Sequence, residues 1–279
     1  LTHVKALLRW ATEQLSETGC DTPALDARLL LQAAAGLTRE DLILYPERKV
    51  EAARADDFRD FVARRAAREP VSRILGEREF YGRAFRVTPA VLDPRPDTET
   101  LVDAALAVMP RNATVLDVGT GSGAIVITLL AERPDATGTA TDISAEALEV
   151  ARFNAEALGV APRLRLAKGC WFEPVDGRFD LVVSNPPYIP AGEIAHLSPD
   201  VRNFDPMTAL AGGSDGLDPY REIAAGVSAH LETGGSLLVE IGAGQADDVE
   251  AIFTTAGLTP VRRHTDLGGH VRCLHFRRA

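Results

Sequence analysis

The spacing of apolar and polar positions divides the chain into a helical first quarter and a longer stretch in which strands and helices alternate. Leu7, Leu8, Ala11 and Leu15 recur with a period near 3.6 and predict a helix closed by Gly19. Thr22 and Pro23 read as the cap and first position of a second helix, with Leu25, Leu29, Leu30 and Ala33 as its buried stripe and Gly36 as its end. Thr38 begins a short third helix, and residues 51–68 form a longer fourth, stopped at Glu69-Pro70. After residue 74 the period changes. The run Glu79-Phe80-Tyr81-Gly82-Arg83-Ala84-Phe85-Arg86-Val87 predicts a hairpin turning at Gly82, a linker or lid. Beyond it, strands are predicted at 114–118, 137–141, 163–167, 179–184, 236–241, 259–263 and 271–276. Helices are predicted at 124–132, 145–158, 216–231 and 246–256. This α/β alternation implies a doubly wound, mostly parallel, Rossmann-like sheet covered on both faces, with the last two strands as an antiparallel pair. The 190–215 segment has no regular period and is expected to be a substrate-facing loop. Three parts result: a helical domain over 1–72, a hairpin linker over 73–96, and a sheet domain over 97–279.

Composition narrows the setting. The 25% charged content is that of a soluble globular protein, and no apolar run approaches the ~18 residues of a membrane span. The N-terminal segment lacks the layout of a signal peptide and does not begin with Met, so the chain is read as trimmed at its start. Cys20, Cys170 and Cys273 are odd in number and widely spaced, which points to the cytoplasm rather than to a disulfide framework. A net charge of −10 argues against a broad, stable nucleic-acid footprint. Arg64, Arg65, Arg68, Arg73 and Arg78 fall close together and read as a solvated helix face, with an anionic docking patch as the second possibility. His264, His270, Cys273 and His275 fit no usual zinc spacing, so no metal is predicted.

Two runs carry chemistry. The first, Val115-Leu116-Asp117-Val118-Gly119-Thr120-Gly121-Ser122-Gly123, is a strand entering a glycine-rich turn where backbone can approach a ligand closely. With Ala124 it also satisfies the dinucleotide fingerprint, so the motif alone leaves the cofactor open. Asp142 ends the next strand, where a carboxylate can grip two ribose hydroxyls. Asp117 would meet a cationic ligand and repel a pyrophosphate. The second run, Asn185-Pro186-Pro187-Tyr188, follows an apolar strand. Its prolines cannot continue a sheet ladder, so they make a stiff ledge at the strand's C-terminal end. An Asn oxygen, a proline carbonyl and an aromatic face there suit gripping a planar NH2 group; a plain Pro-rich turn is the other reading.

Together these features resemble the class I S-adenosylmethionine-dependent methyltransferases. Pro70-Val71-Ser72-Arg73-Ile74-Leu75-Gly76, Glu79-Phe80-Tyr81-Gly82, Pro94-Arg95-Pro96-Asp97-Thr98-Glu99 and Asn185-Pro186-Pro187-Tyr188-Ile189 are similar to the peptide chain release factor glutamine methyltransferases. Asp205-Pro206-Met207-Thr208-Ala209-Leu210 and Gly213-Ser214-Asp215-Gly216-Leu217 match that family's substrate-side loop. The resemblance implies methylation of the glutamine side-chain amide nitrogen in the Gly-Gly-Gln loop of class I release factors, with S-adenosylhomocysteine as the other product. It implies Gly119, Thr120, Gly121, Ser122, Gly123, Asp142, Trp171 and Asn185 as cofactor contacts. Asn185, Pro186 and Tyr188 would be catalytic, and with Pro187 would bind substrate. Trp171 would cover the adenine face, or else anchor the core. The chain departs from the family pattern at Cys170, where an acid often precedes the aromatic, and at Asp93, where an aliphatic residue is common. Arg95 and Glu99 are read as a supporting ion pair. A cytoplasmic monomer is expected. Two other readings remain: an adenine-amino methyltransferase acting on nucleic acid, and a noncatalytic cofactor-binding module.

Overall fold

The computed structural model describes residues 2–279. In chain order its elements are α1 (Val4–Glu17), α2 (Pro23–Ala35), α3 (Arg39–Leu44), α4 (Ala52–Ala66), α5 (Val71–Leu75), β1 (Glu77–Phe80) and β2 (Arg83–Arg86). There follow α6 (Glu99–Val108), β3 (Thr114–Val118), α7 (Ala124–Glu132), β4 (Thr137–Asp142), α8 (Ala145–Ala157), β5 (Leu164–Lys168) and β6 (Phe179–Ser184). The last are α9 (Pro199–Arg202), α10 (Asp218–His230), β7 (Leu231–Glu240), α11 (Ala246–Thr255), β8 (Leu258–Thr265) and β9 (Val271–Arg278). These fall into two compact units, the boundary lying between Glu77 and Arg78, with Ser198–Phe204 returning to the first unit.

The first unit is built around Val4, Leu7, Ala11, Leu15, Leu30, Leu31 and Phe58. Thr38 closes a reciprocal capping box with Asp41 at the start of α3, satisfying two of the helix's orphan N–H groups. Two expectations for α2 need correction. Its buried side is Ala27, Leu30, Leu31 and Ala34, whereas Leu25 and Leu29 are exposed and Ala33 faces solvent. The Thr22 hydroxyl does not cap the backbone but donates to Asp26 Oδ1 at 2.8 Å. The cause is Asp26 itself, a buried acid one turn into the helix that rotates the inward face toward Arg65.

Arg65 is also where the arginine cluster departs from the solvated-face reading. Its Nε donates to Asp26 Oδ2 at 2.7 Å and its NH1 to Asp200 Oδ2 at 2.7 Å, with the side chain 6% exposed. Arg68 Nε donates to Asp200 Oδ1 at 2.6 Å, and Arg64 pairs with Glu69. Burial pushes the Asp200 carboxyl up, but the Arg68 and Arg65 hydrogen bonds outweigh it and hold the group below its usual value. A partner 135 residues away in sequence is invisible to local spacing. It also takes Ser198–Phe204 out of the expected substrate loop, since this stretch packs with the helices.

In the second unit, seven strands order as β5-β4-β3-β6-β7-β9-β8. The pairs β3–β4, β4–β5, β3–β6 and β6–β7 are parallel, while β9 runs antiparallel to both β7 and β8. The chain moves outward from β3 to β5 and then reverses to β6, so the topological switch point lies between the carboxyl ends of β3 and β6. One apolar cluster, with Val115, Ile127, Leu129 and Val183, covers one side of the sheet. Another, with Leu116, Val182, Ile223, Leu237 and Phe276, covers the other. β7 starts at Leu231, directly after α10, earlier than the expected Ser236. The hairpin β1–β2 is seated on α8: Asn154 accepts from Arg86 N at 2.8 Å, and its Nδ2 lies 3.1 Å from Arg86 O and 2.9 Å from Ser122 O. A single buried amide thus ties the hairpin to the glycine turn, and a freely moving lid is not what these bonds build.

Removing the Arg65 guanidinium would leave the buried Asp26 without its counter-charge and Asp200 with Arg68 as its remaining partner. Arg65→Ala is expected to cost the first unit ~3–5 kcal/mol in urea unfolding. A loss below about 1 kcal/mol would show that solvent already screens the network.

Candidate active site

At the switch point the second unit contains a cavity of about 570 Å³, a size that suits a small-molecule ligand. One wall is the glycine turn. Gly119 N and Thr120 N both donate to Thr141 O at 2.9 Å, which holds the turn against the end of β4. Gly119 has φ +77° and stands where an added Cβ would meet the Trp171 ring at 3.4 Å, so glycine is required for that ring to lie against the turn. Trp171 is itself fixed: its carbonyl accepts from Thr141 Oγ1 at 2.8 Å, and its indole N–H donates to Glu222.

The opposite wall is the ledge after β6. Ser184 Oγ donates to Val118 O at 2.7 Å, levelling the end of β6 with the end of β3. Asn185 and Pro187 face the cavity. Asn185 Nδ2 donates to Thr98 Oγ1 at 3.3 Å, so the nitrogen end of the carboxamide is engaged with protein and the oxygen end is left to accept. Behind the ledge, Gln245 Nε2 donates to Tyr188 O at 3.0 Å, and Gly216, at φ +78°, lets backbone close on the same carbonyl, where a Cβ would collide.

Of the residues singled out from sequence, Gly119, Thr120, Gly121, Ser122, Asp142, Trp171, Asn185 and Pro187 line the cavity together. Gly123, Pro186 and Tyr188 do not. Gly123 caps α7 and packs against Ile127 and Ala151, where a Cβ would clash; its role there is helix packing. The Pro186 ring is buried. The Tyr188 ring packs against the core cluster beneath the ledge, and burial pushes its hydroxyl up to about 12. Arg95 does not pair with Glu99: it donates to Asp205 Oδ2 at 2.6 Å, while Glu99 accepts from Tyr81 N at 2.9 Å. His275 Nε2 is 3.0 Å from Ser236 Oγ and Cys273 is enclosed in the core, so these side chains are engaged in packing.

Asp117 also differs from expectation. It is fully buried beneath the turn, accepts from Thr120 Oγ1 at 2.7 Å, and does not reach the cavity wall. Burial pushes its carboxyl up to about 7, against the Thr120 hydroxyl and Val126 N–H that favour the charged form. The charged residues lining the cavity are instead Asp142, Glu222, Asp218, which pairs with Arg221, and Arg95, which pairs with Asp205. Asp142 accepts from Gly121 N at 2.8 Å and Ser144 N at 2.9 Å, which fixes it at the rim. With Arg95 and Asp218 each held in an ion pair, Asp142 and Glu222 leave the lining acidic, which suits a ligand that carries positive charge better than a pyrophosphate. Sequence reasoning missed Asp218 and Glu222. They sit one turn apart on α10, with spacing identical to that of any exposed helix face.

Similarity to known proteins extends over nearly the whole chain. Residues 6–76 match the family model described as PrmC N-terminal domain, and residues 96–197 match the methyltransferase small domain. The chain is 51% identical over 270 residues to a release factor glutamine methyltransferase of Cereibacter sphaeroides, covering 97% of this chain and 96% of that one. A protein of the same name from Agrobacterium fabrum is 44% identical, covering 99% and 97% of the two chains. Among solved structures, a methyltransferase from Pyrococcus furiosus superposes with a TM-score of 0.56 and 20% identity, over 72% of this chain and 91% of that one. That last likeness concerns the fold.

Because the folded-state pKa of Asp117 lies above its ordinary value, its contribution is fully present below about pH 4 and is lost as pH rises through about 7. Asp117→Asn is therefore expected to flatten the stability profile. Urea unfolding at pH 5 and pH 8 should show wild type losing a few kcal/mol more than the variant over that interval. Parallel profiles would mean the carboxyl is already ionised at pH 5.

Proposed function

The chain belongs to the release factor glutamine methyltransferases, and we propose that it moves a methyl group from S-adenosylmethionine to the side-chain amide nitrogen of the glutamine in the Gly-Gly-Gln loop of class I peptide chain release factors. The observation that carries this reading is Asn185, held at the cavity wall with Nδ2 turned to Thr98 and Oδ1 left to accept.

A carboxamide nitrogen is a poor nucleophile because its lone pair is delocalised into the carbonyl. Asn185 Oδ1 accepts one hydrogen of the substrate amide and the Pro186 carbonyl the other. A backbone role for Pro186 is compatible with its buried ring. Two fixed acceptors shift electron density toward nitrogen and aim it, and positioning of this kind lowers a barrier by ~7–11 kcal/mol. Bound S-adenosylmethionine supplies an electrophilic methyl on a sulfonium. The newly methylated amide nitrogen is acidic while it keeps its extra proton, so the ledge needs no strong base and an Asn suffices. Tyr188 acts from behind, through the carbonyl that Gln245 holds.

Gly119, Thr120, Gly121, Ser122, Asp142 and Trp171 are the proposed cofactor contacts, with the acidic rim answering the ligand's positive charge. Glu222, bonded to the Trp171 indole, supplies a carboxylate beside the aromatic wall that the sequence did not locate at Cys170. The helical part, residues 1–72, is proposed to dock the release factor away from its Gly-Gly-Gln tip, and the enzyme to act as a cytoplasmic monomer. No helix among the described residues is long and apolar enough to cross a membrane.

An adenine-amino methyltransferase acting on nucleic acid is the reading to test against. Incubation with labelled S-adenosylmethionine, purified release factor and a duplex oligonucleotide should label the release factor; label in the oligonucleotide alone would reject the proposal. Asn185→Ala is expected to lower kcat ~100-fold or more while cofactor affinity falls far less. Equal losses in both would make Asn185 a pocket wall only. Deleting residues 1–72 should raise KM for the release factor; an unchanged KM would remove docking from that part.

A further inference from the structure

Two buried groups flank Asn185 that the transfer itself does not use. Glu240 ends β7, is 2% exposed, and its Oε2 has no hydrogen-bond partner among the described residues. Thr98, in the short turn Pro96–Thr98, is 4% exposed and accepts from Asn185 Nδ2. β6 and β7 run parallel with Ser184 opposite Val239, so the next residues, Asn185 and Glu240, leave the sheet side by side. Burial pushes the Glu240 carboxyl up to about 7; Asp97 adds to the rise, while Thr98, Arg272 and Asn185 oppose it.

We propose that Glu240 and Thr98 are positioning residues, a buried acceptor pair that holds the Asn185 carboxamide with its nitrogen inward and its oxygen toward the cavity. This rests on the reading that Asn185 Oδ1 receives the substrate's amide hydrogen. The two ends of a carboxamide are nearly equal in size, and a half-turn about its last torsion exchanges them. An exchanged Asn185 would present an NH2 group to the substrate's NH2, donor against donor. Packing cannot discriminate between the two orientations; hydrogen-bond chemistry can. In its ionised form, which predominates above about pH 7, the Glu240 carboxylate only accepts, so it favours the nitrogen end facing it. The Thr98 hydroxyl accepts from Asn185 and keeps its own proton to give, and the buried Glu240 carboxylate, with an oxygen that has no partner among the described residues, is an acceptor set beside Asn185. Gln at position 240 would offer both a donor and an acceptor, and the preference would vanish.

The test reads the orientation directly. The chain has four asparagines, Asn112, Asn154, Asn185 and Asn203, so labelling asparagine side-chain nitrogen gives a short set of NH2 resonances, with Asn185 assigned by its loss in Asn185→Ala. In the full-length protein the Asn185 NH2 protons are expected to be protected from solvent exchange. Glu240→Gln and Thr98→Val should each speed that exchange at least ~10-fold, and Thr98→Ser, which keeps the hydroxyl, should recover most of the protection. With release factor as acceptor, the same two variants should lower kcat ~10-fold or more while KM and S-adenosylhomocysteine affinity stay within about threefold. Should Glu240→Gln fail to fold, the Thr98 pair alone decides. Unchanged exchange in Thr98→Val, or loss of cofactor affinity in step with kcat, would overturn the proposal. The exchange measurement needs no methyl acceptor, so a clamp that fails and a substrate assignment that fails give different results.

Discussion

A single hydrogen bond between two strand ends sets the level on which the site is built. Ser184 Oγ donates to Val118 O, so the last residue of β6 is fastened to the last residue of β3 at the point where the sheet reverses direction. A parallel ladder would let either strand end fray into its loop. With the ends pinned, the glycine turn and the proline ledge leave the sheet from a common height and face each other across the cavity. Ser184 is fully buried, so its hydroxyl has no water to bond in place of that carbonyl. The ledge inherits stiffness from below through this bond and from behind through Gln245.

Charge in the second unit is divided by burial. Asp117 and Glu240 lie under the glycine turn and behind the ledge, and burial moves both carboxyls up to about 7. Asp142, Asp218 and Glu222 stand at the cavity wall. The first pair lie within the scaffold, while each member of the second set is held by a protein donor and also faces what enters. Sequence cannot make this division, because an acid at the end of a strand reads the same in either place. Asp117 and Asp142 both sit at or next to β-strand ends, yet one carries the scaffold and the other faces the ligand space.

The regular elements of the sheet unit were largely legible because period-2 and period-3.6 runs are local. Residues 124–132 and 179–184 fall where the alternation puts them, and the antiparallel pair at the end of the chain follows from two short apolar runs with a turn between. What was not legible depends on partners far apart in the chain. The α2 stripe turned because Asp26 answers Arg65; Arg95 pairs with Asp205 rather than Glu99; and α5, five residues after Pro70, is too short to show a period. For the site, six residues of the glycine and proline runs reach one cavity, together with Asp142 and Trp171. Those that do not are turned away by packing: Gly123 into α7, Pro186 and Tyr188 toward the core.

These distant pairs explain why three separated runs of sequence belong together. Arg95 reaches Asp205, which fixes the start of the segment Asp205–Leu210 along the cavity, and three residues after Arg95 the Thr98 hydroxyl meets the Asn185 amide. The run at 94–99 therefore holds the loop through a charge and the ledge through a hydroxyl, within one turn of backbone. A charge tolerates some misplacement, since Coulomb attraction falls off slowly, and it suits a loop. A hydroxyl bonded to an amide tolerates little, since hydrogen bonds weaken steeply with angle, and it suits a group whose direction matters. Exchanging the two devices would give a rigid loop and a loosely aimed carboxamide, which is the wrong distribution of precision for aligning an amide nitrogen.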